Sequence, residues 1–277
     1  MKNILLLGST GMLGKYIEKY FKQQNIFNII PFSRNELDVE NTSKEELQNI
    51  IKDNDIDFII NCVGMIKPQI KKYSMASAIK VNSLFPFLLD DAVKNTKTTL
   101  IHITTDCVYS GCIEKGKSYN EKHLHDVEDD YGLTKFLGEP QDSMVIRTSI
   151  IGEEVNQQRS LIEWFKSCKD DKANGFTNHY WNGVTCLQLS KIIHQLIHDN
   201  QLWVGKRHIY SDIVDKFELL TLINNAFNLN VDISKVEGSQ YCNRSLSSIY
   251  ENVNKLTLKE QLDELKEFSE YLYDEGN

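Results

Sequence analysis

The first fourteen residues, MKNILLLGSTGMLG, constrain this chain more than any other stretch. Ile4 to Leu7 is a short apolar run that predicts a fully buried strand, cut off at Gly8. From Met12 onward apolar residues recur at helical spacing: Leu13, Tyr16, Ile17, Tyr20 and Phe21. Strand, glycine turn and helix in that order predict the opening of a dinucleotide-binding unit. Gly8 permits a tight turn, Gly11 lets the backbone approach a pyrophosphate, and Gly14 lets helix and strand pack closely. The helix start offers free N–H groups and a positive dipole end to the phosphates. Thr10, Met12 and Leu13 lie on the same turn and complete its candidate contacts.

Alternation of strands and helices continues from there. Phe27 to Phe32 predicts a second strand, Lys44 to Lys52 a helix, Asp57 to Asn61 a third strand, 73–95 a long helix containing Asn82, and Thr98 to Ile103 a fourth strand. Met144 to Thr148 predicts another. This spacing implies a parallel sheet with right-handed crossovers. Beyond residue 150 the alternation loosens: helices are predicted at Leu161 to Lys169, Leu187 to His198, Lys216 to Phe227 and Leu256 to Tyr273, a short strand at His208 to Tyr210, and a polar–aromatic loop at Phe176 to Val184. The expected architecture is α/β: a Rossmann-type doubly wound parallel sheet of about seven strands with a smaller α/β C-terminal lobe. Residues 1–152 are the cofactor domain and 153–277 the substrate-binding lobe, with an interleaved boundary.

The second strand ends Ser33-Arg34. An NAD site usually has an acid there for the ribose hydroxyls, whereas arginine suits a 2′-phosphate. NADPH is therefore the expected cofactor, with Glu36 and Asp38 keeping NADH open. Asp38 and Val39 are placed beside the adenine, and Cys62, Val63 and Gly64, after the third strand, where the cofactor crosses the strand ends.

Bulk properties narrow the partners. The 277 residues carry a formal net charge of −8, with acids gathered in the last twenty positions. That argues against a nucleic-acid binder, which needs a basic surface, though local arginines and lysines still serve an anionic small molecule. No apolar stretch is long enough to cross a bilayer, so neither a membrane partner nor a membrane anchor is expected. The six cysteines form no Cys-x-x-Cys pair and read as reduced thiols of a cytoplasmic protein. His194 and His198 share a helix face without the glutamate of a metal motif, and no metal is expected.

The fourth strand runs into Thr104-Thr105-Asp106-Cys107-Val108-Tyr109, and after a loop of some twenty residues comes Tyr131-Gly132-Leu133-Thr134-Lys135. On a helix, Tyr131 and Lys135 stand one turn apart on one face. A phenol has an ordinary pKa near 10. An ammonium within about 4 Å contributes roughly 4 kcal/mol at an effective dielectric of about 20, enough to lower that pKa by up to about 3 units before desolvation. The expected chemistry is protonation of a carbonyl oxygen by Tyr131, aided by Lys135 and Thr105, as hydride arrives from a nicotinamide.

GSTGMLG (8–14), LDV (37–39), TTDCVYSG (104–111), YGLTK (131–135) and IRTS (146–149) together resemble the extended short-chain dehydrogenase/reductases, and most closely the dTDP-4-dehydrorhamnose reductase family. The resemblance covers the first 150 residues. It implies catalytic roles for Thr105, Tyr131 and Lys135, cofactor roles for the glycine turn, Arg34 and Lys135, and reduction of the 4-keto group of a 6-deoxysugar on a nucleotide diphosphate, in sugar biosynthesis for bacterial surface polysaccharides. NRSL (243–246) resembles the family's arginine-containing substrate segment and puts Arg244 near the sugar nucleotide. Asp106, Cys107 and Trp181 join it as substrate candidates, and Lys67, Arg147 and Arg159 as candidate diphosphate or base contacts. A homodimer is expected by analogy with helix pairs flanking such sheets.

Two rival readings remain at this level. Thr-Asp-Cys lacks the second carboxylate of a 4,6-dehydratase, but Cys107 matches the cysteine of GDP-fucose synthases, which epimerise before they reduce. Alternatively, a protein of this fold keeps the cofactor site and acts as a non-catalytic regulatory subunit.

Overall fold

The computed structural model describes residues 1–154, 160–169 and 171–273. In chain order the first half runs β1 (Lys2–Leu7), α1 (Met12–Gln24), β2 (Phe27–Phe32), α2 (Lys44–Asp53), β3 (Phe58–Asn61), α3 (Lys67–Lys72), α4 (Met75–Ile79), α5 (Phe85–Val93), β4 (Thr99–Thr105), α6 (Asp130–Leu137), β5 (Met144–Thr148) and β6 (Ile150–Ile151). The second half is α7 (Leu161–Ser167), β7 (Lys172–Phe176), β8 (His179–Trp181), β9 (Val184–Thr185), α8 (Cys186–His198), β10 (Gly205–His208), β11 (Val214–Asp215), α9 (Lys216–Phe227), β12 (Asp232–Val236), β13 (Cys242–Asn243) and α10 (Leu258–Tyr273).

Six strands make the main sheet in the order β10-β5-β4-β3-β1-β2, every pair parallel. The chain leaves β1 to one side for β2 and returns on the other for β3, so a crevice opens at their carboxyl ends. Both faces are covered, which is why the strands read as continuous apolar runs. Ile4, Leu6, Ile60 and Ile101 enter a core under α1, α8 and α10, whereas Leu5, Leu7, Ile59 and Leu100 enter a second core under α2 and α5. The first core runs from Ile4 to Leu272 and draws on both halves of the chain.

Three expectations need correction. Among the described residues the sheet has six strands, not about seven. Its last strand is β10 at Gly205–His208 rather than His208 to Tyr210; Gly-Lys-Arg-His carries no apolar run because it lies at an edge, where Arg207 stacks on Trp203 and Tyr250. Phe176 to Val184 is not a loop: it contains β8, the centre of a three-stranded sheet β11-β8-β13, and leads into β9, which pairs with β6. Strands of two or three residues are too short to register as alternation. The predicted helix at 73–95 is one rod in the middle of which Lys80–Leu84 winds as a π-turn that contains Asn82. Such turns often mark functional sites.

No described helix is long and apolar enough to cross a membrane, and among the described residues no cluster of three or more His, Cys, Asp or Glu is placed to hold a metal.

Candidate active site

β1 ends in a turn that only glycine fits. Gly8 has φ +79°, and a Cβ on Gly14 would fall 2.2 Å from the Gly8 carbonyl oxygen. The Gly8 and Ser9 N–H groups donate to the Phe32 carbonyl, fixing the turn to β2. α1 begins without a side-chain cap and without an acid in its first turn. Its first N–H groups therefore keep their positive field for a ligand anion. Closeness without side chains and an uncapped helix start fit the pyrophosphate of a dinucleotide.

From this turn a cleft of about 480 Å³ crosses the strand ends. Thr10 to Leu13, Cys62 to Gly64, and Thr105, Asp106, Cys107, Tyr131 and Lys135 all line it, so the structure brings these predicted residues together. Gly64 supports the passage: a Cβ there would lie 3.7 Å from both the Lys135 Nζ and the Asn82 Oδ1. Arg34 and Asp38 are exposed beyond β2. The Ser33 N–H and hydroxyl both donate to Glu36, and Asp38 accepts from Asn41 and the Glu40 N–H. Arg34 is exposed on this turn, within electrostatic reach of Asp38. Val39 packs inward against both neighbouring cores.

The end of the cleft lined by Thr105, Tyr131 and Lys135 is built on β4 and α6. Asp129 caps α6 by accepting from the Gly132 N–H, and a Cβ on Gly132 would meet the Cys107 carbonyl oxygen at 2.3 Å. α6 is therefore pressed against the turn after β4. Lys135 is buried, and its Nζ donates to the Ile103 carbonyl at 3.1 Å. Burial pulls its ammonium down to about 8, against the opposing charges of Glu139 and Cys62. The lowering of Tyr131 expected from Lys135 is not found: burial pushes the phenol well above its ordinary value, Cys107 and Asp106 add to this, and only a hydrogen bond with Thr105 opposes it. A phenol held protonated is a proton donor waiting for a developing alkoxide. Burial, with Asp106 adding, pushes the Cys107 thiol up to about 12, which suits it poorly as the base of an epimerisation.

The structure moves other candidates off the cleft. Arg147 is 1% exposed and forms a buried fork to Glu139, at 3.0 and 2.5 Å, while its Nη1 donates to the Tyr109 hydroxyl at 2.6 Å. It is a structural cation, since Glu139, eight residues away, supplies the anion it was expected to find in a substrate. Trp181 is 6% exposed in the main core, its indole N–H donating to the Ser149 hydroxyl; it does not cover an open pocket. Lys67 bridges to Asp129 at 2.9 Å. Arg244 donates to the carbonyls of Tyr109 and Ser110 and lies within electrostatic reach of Asp106 and Cys107. Arg159 lies outside the described residues.

Asn82 escaped assignment. Its amide donates to the Met65 carbonyl and the Thr134 hydroxyl and accepts from the Met65 N–H, so it pins the segment after Gly64 to α6. A buried amide inside an otherwise apolar helix face was the signal. Asn61 and His102 form a buried pair between β3 and β4 at 3.1 Å. Glu121, in the loop before α6, accepts from the His208 and Ile249 N–H groups and the Ser248 hydroxyl.

The free-enzyme pH profile follows from Lys135. Its ammonium is present below about 8 and lost above it, and the phenol stays protonated across that range. A reaction that needs this ammonium is expected to have a kcat/KM that is level below pH 7 and falls tenfold per unit above the Lys135 value. A flat profile through pH 9 contradicts a role for the ammonium.

The family model described as the RmlD substrate binding domain matches residues 1–162. The chain is similar to dTDP-4-dehydrorhamnose reductase of Aggregatibacter actinomycetemcomitans, 26% identical over 155 residues, 54% of this chain and 51% of that protein. It is also similar to methionine adenosyltransferase 2 subunit beta of Mus musculus, 22% identical over 251 residues, 82% of this chain and 73% of that one. Among solved structures, dTDP-4-dehydrorhamnose reductase of Bacillus anthracis str. Ames in complex with NADP superposes with a TM-score of 0.79 at 21% identity, covering 96% of this chain and 98% of that one. The chain spans about half the length of the curated reductases it matches.

Proposed function

Because this chain belongs to the family of the RmlD substrate binding domain, we propose that it uses NADPH to reduce the 4-keto group of a 6-deoxysugar carried on a nucleoside diphosphate. The observation that carries the reading is the meeting of Thr105, Tyr131 and Lys135 on one wall of the cleft that starts at the glycine turn. We assign residues 1–152 to the cofactor and 153–277 to the substrate.

NADPH, when bound, supplies the hydride. The glycine turn and the start of α1 would hold its pyrophosphate, and Arg34 its 2′-phosphate. Lys135, whose ammonium donates to the Ile103 carbonyl, would hold the ribose hydroxyls, and Gly64 lies beside it. Tyr131 gives its proton to the substrate oxygen as negative charge develops there, with the Thr105 hydroxyl donating to the same oxygen. Asp106 and Cys107 position the sugar. Neither epimerisation through Cys107 nor a purely regulatory role is favoured, since Cys107 is held as a thiol and the three reducing residues stand together. All six cysteines are free, which supports a cytoplasmic setting. The exposed side chains of Ile79, Leu84, Phe87 and Leu137 on neighbouring helices support a homodimer.

The test is NADPH oxidation against a panel of 4-keto nucleotide sugars in deuterated water. Oxidation without label at C3 or C5 is expected; label there favours epimerisation, and no oxidation with any member of the panel rejects the reading. Arg34→Ala is expected to lower kcat/KM for NADPH roughly tenfold while leaving NADH unchanged, by loss of one charge-assisted phosphate contact. Equal loss with both cofactors assigns Arg34 to the fold instead.

A further inference from the structure

The small sheet β11-β8-β13 presents a cationic face to the turn that carries Thr105. Val214 pairs with Trp181 and Cys242 with His179. Strand alternation then sets Trp181, His179, Lys216, Cys242 and Arg244 on one face, and Tyr180, Asp215 and Asn243 on the other.

The two cations on that face are engaged differently. Arg244 holds a loop: its Nε donates to the Tyr109 carbonyl at 2.9 Å and its Nη2 to the Ser110 carbonyl at 3.4 Å. Gly111 makes the approach close, since a Cβ there would fall 2.7 Å from the Cys242 Sγ and 3.2 Å from the Arg244 Cγ. Lys216 has no hydrogen-bonded or ion-paired partner among the described residues; its Nζ rests over the Trp181 ring, 5.6 Å from the centroid. Burial draws its ammonium below the ordinary lysine range, while Asp106, Cys242 and Cys107 favour the charged form. Asp106 in turn feels both Arg244 and Lys216. Lys216 is half-buried, and a cation partly withdrawn from water without a hydrogen-bonded anion is well placed to take one from a ligand.

We propose that Lys216 is a substrate-binding residue that takes the diphosphate of a nucleotide-linked sugar, with the unused guanidinium nitrogen of Arg244 beside it. The proposal rests on the nucleotide-sugar reading above and adds the cation that orients the substrate. The diphosphate sits on the small sheet, and the sugar extends past Asp106 to Tyr131. A lysine that merely covered Trp181 would have no preference for phosphate.

The experiment is calorimetric titration of the full-length protein with dTDP, UDP and GDP, and separately with NADPH, for wild type, Lys216→Met and Lys216→Arg. Lys216→Met is expected to weaken nucleoside diphosphate binding roughly 10- to 100-fold, the worth of a charge-assisted hydrogen bond, and to flatten its salt dependence. Lys216→Arg is expected to restore most of the affinity, with NADPH affinity unchanged in both. In turnover, KM for the sugar nucleotide rises while kcat holds. A folded Lys216→Met protein, or Lys216→Gln should that variant not fold, that binds the nucleotides as tightly as wild type overturns the proposal. Wild type that binds NADPH but none of the three nucleotides overturns the nucleotide-sugar reading itself, and this proposal with it.

Discussion

Tyr131→Phe is expected to lower kcat for ketone reduction by about 10²–10⁴-fold, the usual worth of a positioned proton donor, while NADPH affinity stays at the wild-type level. The substitution is close to isosteric, and the ring keeps its packing beside Met65, Ile70 and Val81. What goes is the one hydroxyl that burial keeps protonated at the edge of the cleft. Single-turnover reduction monitored at 340 nm, with cofactor affinity measured in parallel by fluorescence, separates chemistry from binding. Retained turnover moves the proton-donating role to another group. A full biological effect from the inactive variant revives the regulatory-subunit reading.

The second large effect concerns stability. Arg147→Met is expected to cost about 3–5 kcal/mol, because it leaves the Glu139 carboxylate buried without its counter-charge. The guanidinium also holds the Tyr109 hydroxyl at 2.6 Å, and Tyr109 stacks on Tyr119 with centroids 4.1 Å apart. The loss therefore reaches the loop before α6. Urea unfolding of Arg147→Met, Glu139→Gln and the double variant measures the coupling. The double variant is expected to be more stable than Arg147→Met alone, since removing the stranded charge removes most of its cost. Equal stability of wild type and Arg147→Met would mean that the ion pair contributes nothing net.

The legible parts of the chain were those with strong local periodicity. β1, the glycine turn and α1 are one continuous stretch in which sterics act between neighbours, so Gly8 and Gly14 declare themselves without tertiary information. The Tyr131–Lys135 spacing likewise needed only helical geometry. Arg147 misled because its partner, Glu139, is no nearer in sequence than many other acids, and only the fold shows the two closed together. Trp181 misled for a related reason: an aromatic among polar residues resembles a binding loop until β11 and β13 flank it. The direction of the phenol and ammonium shifts was also beyond sequence reasoning, since burial dominates at both groups, reinforced by neighbouring acids at Tyr131 and opposed by Glu139 and Cys62 at Lys135. Lys216 gave no signal at all, because a lysine at the first turn of an amphipathic helix is ordinary until strand pairing turns it inward.

The Glu121 carboxylate bears on how the molecule assembles. Its three partners come from β10 and from the segment before α10, up to 128 residues further along the chain. The loop leading into α6 therefore cannot settle until most of the polypeptide has been synthesised and collapsed. Closure over such a span makes for slow, late ordering. The segment matched by the family model, residues 1–162, would emerge from the ribosome with Tyr131 still waiting for the C-terminal third.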